Sequence, residues 1–311
     1  MSIMKLEDIA HVRFTAPDLD EMRGFLVEFG LTIVPSDDGI LYARGTGPAP
    51  FVHATAQGAP GFAAIGLRAP SITDLKRLAE TEDTEVQDFP GPGGGSVVYL
   101  TDPDGYSVEV VAGQDASPSL ALPPAADRNS AHSKPRQRAP LRLADGPANV
   151  VRLGHAVLEV TDFRASENWY KGRFGFITSD EIEMGPGMAI GAFLRCDRGD
   201  QPTDHHTLFL LQAPTAPRFN HAAFEVVDLD DLMCGHTHLK HAQRTPAWGV
   251  GRHLLGSQIF DYWKDPWGHE LEHWTDGDLF TAADGSNTAT FQDLLNVQWG
   301  PLHPMMAGEQ S

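Results

Sequence analysis

Cysteine is nearly absent from this sequence. Two thiols in 311 residues, Cys196 and Cys234, cannot build a disulfide framework or a thiolate metal site, and read as packed thiols in a reducing compartment. No apolar run reaches the roughly 20 residues that a membrane-spanning helix needs. Met1 to Leu6 has no signal-peptide pattern, so a cytoplasmic protein is expected. Basic residues are also scarce: 23 Lys and Arg stand against 42 Asp and Glu, a formal net charge of -19. Sequence-independent nucleic-acid binding and anionic membrane surfaces both require clustered cations, so neither is expected as a partner. The one basic cluster, Lys134-Pro135-Arg136-Gln137-Arg138, lies among Pro, Ala and Ser and reads as linker.

What is present is unevenly placed. The length suits two domains, and 41% hydrophobic content is ample for their cores. Residues 113–149 are poor in aromatics and have no period, which makes them a linker between an N-terminal domain at 1–112 and a C-terminal domain at 150–280, with a tail at 281–311. Of the 14 histidines only His11, His53 and His132 precede residue 150, and all six tryptophans follow it. The densest chemistry lies in Gly251 to Gly277. Ser257 to Trp263 reads as a strand, Asp265-Pro266-Trp267-Gly268 as a turn, and His269 to Trp274 as a second strand. Glu270 and Glu272 then share one face of a hairpin arm. A single carboxylate there is most simply solvated or paired in a salt bridge.

The chain also repeats itself. IAHVRFTAPDLDEMRGFLVEFG from Ile9 recurs as LGHAVLEVTDFRASENWYKGRFG from Leu153, each an alternating strand, an Asp-containing turn that can cap a helix, and a helix ending at Phe-Gly. Shorter echoes begin at Phe62 and His221. The closing hairpins match as well: Val98 to Glu109 lies over Asp261 to Glu272, with Tyr99 on Tyr262 and Glu109 on Glu272.

On these residues the chain resembles the vicinal oxygen chelate superfamily and, within it, the type I extradiol dioxygenases. The resemblance spans nearly the whole chain except the linker and the tail. It implies an α+β fold of two domains, each of paired βαβββ modules, with the C-terminal one catalytic and the N-terminal one not. His155 and His221 begin equivalent strands of the third and fourth units, and Glu272 lies in the last strand of the fourth. A lone strand histidine is usually a core residue; two at equivalent repeat positions, closed by a glutamate, suggest ligands. Two imidazoles and one carboxylate are the ligand set of non-haem Fe(II) oxygenases. The resemblance selects Glu272 over Glu270 through Asp265-Pro266-x-Gly268-x-x-x-Glu272.

The same resemblance implies three catalytic residues. His206 is the acid/base group facing O₂, and His253 and Tyr262 hydrogen-bond the substrate oxygens. His205 is expected on the opposite, surface face of the same strand. Trp248 leads the tryptophans as a pocket residue. In the N-terminal half His11 and Glu109 remain, Phe62 takes the place of His221, and His11 reads as structural. Asp261 departs from the apolar or aromatic residue usual before the tyrosine. The implied activity is extradiol cleavage of a substituted catechol by O₂, with Fe(2+), or alternatively Mn(2+), as cofactor, in a homo-oligomer. Rival readings are a metal-dependent lyase or isomerase of the superfamily, whose sites draw on both halves, and a binding protein on the same fold.

Overall fold

The computed structural model describes residues 2–307. Its strands and helices fall into four βαβββ units in chain order. The first is β1 (Asp8–Ala16), α1 (Leu19–Glu28), β2 (Thr32–Val34), β3 (Leu41–Arg44) and β4 (His53–Gln57); the second is β5 (Gly61–Arg68), α2 (Ile72–Thr81), β6 (Gln87–Asp88), β7 (Ser96–Thr101) and β8 (Ser107–Ala112). The third runs β9 (Val150–Val160), α3 (Phe163–Phe174), β10 (Ile177–Glu183), β11 (Ala189–Arg195) and, after the short β12 (Thr203–Asp204), β13 (Leu208–Gln212). The fourth runs β14 (Arg218–Val226), α4 (Leu229–His241), the short β15 (Thr245–Pro246), β16 (Gly251–His253), β17 (Ile259–Lys264) and β18 (Glu270–Thr275).

Each of these four helices starts where a short polar side chain can satisfy free backbone N–H groups. Asp18, Asp162 and Asp228 cap α1, α3 and α4 in this way, and Ser71 caps α2. Gly175 ends α3 in the left-handed region at φ 70°, where a Cβ would be strained. The hairpin turn at residues 265–268 closes around Asp265, whose Oδ1 accepts from the N–H groups of Trp267 and His269.

The first two units form one sheet in the order β2-β3-β4-β1-β5-β8-β7-β6, and the last two share a larger sheet whose centre is β13-β9-β14-β18-β17. In each, the openings of the two units meet antiparallel, β1 on β5 and β9 on β14. The two halves bury a continuous apolar core, and Phe62 stacks on Phe219 across them at 4.5 Å. The His273 ring nitrogen Nε2 lies 2.7 Å from the Phe29 carbonyl oxygen. Residues 113–149 contain no helix or strand.

The tail is part of the second sheet. Ahead of it, β19 (Leu279–Phe280) pairs with β12 as a separate two-stranded ribbon; the tail itself contributes β20 (Asn287–Thr290), α5 (Phe291–Leu295), β21 (Val297–Trp299) and α6 (Pro304–Ala307). β20 pairs parallel with β10, and β21 pairs antiparallel with β16, so the tail supplies both outer strands. Residues 308–311 of the expected tail lie outside the described residues. Among the described residues no helix is long and apolar enough to cross a membrane.

Candidate metal centre and its cavity

Three adjacent strands, β9, β14 and β18, build the centre through their register. Ala223 of β14 lies opposite His155 of β9 on one side and Glu272 of β18 on the other. Directly opposite residues point to the same face, and so does His221, two residues before Ala223. Ala223 fills little space between them, so the two imidazoles and the carboxylate converge over it. Nε2 of His155 and Nε2 of His221 are each 3.4 Å from Glu272 Oε2. One donor atom from each of the three residues lies within 4.8 Å of the others.

Glu272 is fully buried, yet neither carboxylate oxygen has a hydrogen-bond partner. A buried carboxylate in that state costs several kcal/mol unless a cation compensates it. Burial alone would raise its pKa, but the imidazoles of His155, His221 and His253 offset this and hold the carboxyl well below its ordinary range. Burial lowers the pKa of His155 despite the neighbouring Glu272. A neutral imidazole beside an ionised carboxylate is the protonation state that cation binding demands. The donor set therefore fits a divalent ion.

Outer contacts orient the set. His221 Nδ1 lies 2.8 Å from Asn220 Oδ1, Asn220 Nδ2 donates to Glu159 Oε1 at 2.7 Å, and Arg218 donates to both oxygens of Glu159 at 2.6 and 2.7 Å. With Nδ1–H held by Asn220, the lone pair of His221 sits on Nε2, the atom nearest Glu272.

His206, His253, Tyr262 and Trp248 surround the same centre. The His206 ring centroid is 3.9 Å from that of His155, and burial, with His155 and His205 beside it, pushes the His206 pKa well below its ordinary value. His253 Nε2 lies 3.1 Å from the Tyr262 hydroxyl. Burial and the Glu272 charge raise the Tyr262 phenol well above its usual value. Trp248 stacks on Tyr262 at 5.5 Å and donates from Nε1 to the Pro301 carbonyl at 3.0 Å, tying the tail to the site. The centre opens into a cavity of about 590 Å³ whose lining includes Phe193, Phe209, Leu255, Phe291 and Met305. Trp248 lines it, whereas Trp263, Trp267, Trp274 and Trp299 do not. Asp261 is accommodated as a fully buried acceptor, taking a hydrogen bond from Trp263 Nε1 at 2.6 Å.

Two expectations are corrected. His205 is not a surface residue: it is 1% exposed, its Nδ1 lies 3.0 Å from His206 Nδ1, and its Nε2 lies 2.6 Å from Asp180 Oδ2. The pair sits in the bend between β12 and β13, not in a strand, so alternation of faces does not apply. Nor does Phe62 take the place of His221. Gly66 is opposite both His11 and Glu109, as Ala223 is opposite His155 and Glu272, which puts Ala64 in the His221 position. Phe62 corresponds to Phe219 instead. The spacing to the helix caps carries this signal, since Ser71 follows Ala64 by the same interval as Asp228 follows His221. Ala64 offers no ligand. A guanidinium fills the gap in charge, with Arg13 Nε donating to Glu109 Oε2 at 2.8 Å and His11 Nε2 lying 2.7 Å from the same oxygen.

The sequence signature described as the Glyoxalase/Bleomycin resistance protein/Dioxygenase superfamily matches residues 152–273. Metapyrocatechase 2 of Cupriavidus necator is 29% identical over 309 residues, 96% of this chain and 90% of that protein. Two solved structures share the fold. Homoprotocatechuate 2,3-dioxygenase from Brevibacterium fuscum, in its anaerobic substrate complex, gives a TM-score of 0.80 at 19% identity, over 100% of this chain and 94% of that one. The Mn(II)-bound glyoxalase from Novosphingobium aromaticivorans gives 0.78 at 22% identity, over 97% of this chain and 93% of that one.

Proposed function

We propose that this chain, a member of the glyoxalase/bleomycin resistance protein/dioxygenase superfamily and of the type I extradiol dioxygenases within it, cleaves the ring of a substituted catechol beside its two hydroxyls and inserts both atoms of O₂. The single observation carrying this reading is Glu272: a fully buried carboxylate with no hydrogen-bond donor, flanked by two imidazoles that line a large cavity. All three ligands belong to the C-terminal half, which favours a dioxygenase over an isomerase that draws on both halves. His155, His221 and Glu272 would hold the ion, with Fe(II) preferred over Mn(II) because two imidazoles and one carboxylate suit Fe(II) oxygenases. When bound, that ion supplies Lewis acidity toward two vicinal oxygens and one-electron chemistry toward O₂.

The side chains then have separate roles. His206 is neutral at its buried position, so it can accept a proton from a catechol hydroxyl and return it later. Tyr262 and His253, already hydrogen-bonded to each other, can share their donors with a substrate oxygen that gains charge. The apolar walls exclude water from the reacting groups.

The cavity also favours one substituent class. About 590 Å³ far exceeds a bare catechol ring, and the lining is mostly apolar. Its one guanidinium, Arg218, is already held by both oxygens of Glu159. A bulky uncharged substituent fits this wall better than a carboxylate does. The enzyme is proposed to work in the cytoplasm as a homo-oligomer. Aerobic incubation of Fe(II)-loaded protein with a panel of catechols tests the activity: a yellow ring-opened product from the apolar-substituted members supports it, and no O₂ consumption with any member rejects it.

A further inference from the structure

His205 is a buried histidine in contact with His206 that the ring-cleaving chemistry does not use. It is 1% exposed and Asp180 is 7% exposed, and the two join end to end with His206: Asp180 Oδ2 lies 2.6 Å from His205 Nε2, and His205 Nδ1 lies 3.0 Å from His206 Nδ1. The surroundings fix His205 in place. The backbone of His205 is held at both ends, its N–H donating to the Asp278 carbonyl at 3.0 Å and its carbonyl accepting from Ser179 Oγ at 2.6 Å. Its ring lies against Gly256, where a Cβ would come within 2.9 Å of Nδ1, and Phe193 packs against both rings, 5.0 Å from His205 and 4.7 Å from His206.

We infer that Asp180 and His205 are positioning residues that fix the tautomer of His206, keeping its Nε2 lone pair turned toward the cavity. An ionised carboxylate only accepts hydrogen bonds, so His205 carries its proton on Nε2 and gives it to Asp180. With that single ring proton His205 presents a bare Nδ1, whereas a second proton there would put the His206 proton on Nε2, the result that overturns the inference below. The 3.0 Å contact between the two Nδ1 atoms requires one proton, which must sit on His206. His206 Nε2 is left unprotonated, the form that can take a proton from a bound hydroxyl. In its catalytic consequence this inference rests on the role proposed above for His206; its tautomeric content does not.

Two measurements test it. The first is a ¹⁵N-histidine NMR spectrum of the metal-stripped full-length chain, with His206 assigned through His206→Gln. The wild type is expected to carry its His206 proton on Nδ1, with scalar coupling to His205 Nδ1 across the hydrogen bond. Asp180→Asn keeps the shape but can donate an amide proton to His205, so the protons should shift toward Nδ1 of His205 and Nε2 of His206. A wild-type His206 protonated on Nε2 overturns the inference whether or not the protein cleaves catechols. The second uses the Fe(II)-loaded enzyme. Asp180→Asn should keep its iron content and the KM for catechol while kcat per iron falls about 10²–10⁴-fold, the range seen when a general base is held in the wrong tautomer. His205→Gln, whose amide oxygen can still accept from His206 Nδ1, should retain more of kcat than His205→Leu. A merely structural role predicts lower folded yield with kcat per iron unchanged in all three, and that result overturns the inference.

Discussion

Replacing Glu272 by alanine removes the only anionic ligand of the set, and replacing Glu109 by alanine makes the same change at the matching position of the other half. The two sites differ in what they hold. Glu272 has no hydrogen-bond donor and faces two imidazoles at 3.4 Å; Glu109 is already bonded to Arg13 and His11 at 2.8 and 2.7 Å. An ion bound only by the folded chain stabilises it by about 2.7 kcal/mol at a hundredfold excess over Kd. At roughly 2–4 °C per kcal/mol for a chain of this class, addition of Fe(II) under anaerobic conditions should raise the wild-type Tm by about 5–10 °C. Glu272→Ala should lose nearly all of that rise, and metal analysis should find its iron gone. Glu109→Ala should melt lower without metal, because removing one partner of a buried ion pair costs about 3–5 kcal/mol, yet keep the full metal-dependent rise. Scanning fluorimetry with and without Fe(II) reads both effects. A Glu272→Ala protein that keeps its iron, or a Glu109→Ala protein that loses it, refutes the assignment of the centre to the C-terminal half.

The remaining expectations concern a proton and a pH range. His206→Phe should keep its iron and still bind catechol, since His206 is outside the ligand set, while single-turnover rates per iron fall about 10²–10⁴-fold; unchanged rates would remove His206 from the chemistry. Burial lowers the pKa of His53 to about 3. The unfolded chain takes up that proton first, so stability is present above the ordinary histidine pKa and is lost as pH falls from about 6.5 toward 3, by roughly 3–5 kcal/mol at the low end. His53→Phe, which can keep the stack on Phe14, should flatten that part of the acid-unfolding curve; an unaltered slope would show that His53 is not its source.

Much of this was legible in the sequence because the fold is built from repeats. The capping aspartates, the Phe-Gly helix ends and the matched hairpins pointed to four units, β-alternation put Glu270 and Glu272 on one face, and the equivalent repeat positions of His155 and His221 with the resemblance joined them to Glu272. Three features were hidden for physical reasons. His205 lies in a bend, where adjacent side chains need not diverge, so its burial beside Asp180 has no periodic signature. Phe62 and His221 each precede an Ala-Ala pair, which aligns them by local sequence, whereas the helix-cap spacing and the strand register both point to Ala64. The tail's strands are only a few residues long and take their order from pairing with β10 and β16, contacts distant in sequence that no local pattern predicts.

Mass spectrometry of the product formed from an alkyl-substituted catechol under ¹⁸O₂ tests the central claim most directly. The account predicts a ring opened beside the diol that retains both labelled atoms, formed by wild-type protein loaded with Fe(II) and absent with Glu272→Ala. A dicarboxylic acid from cleavage between the two hydroxyls, or a product without label, would contradict it.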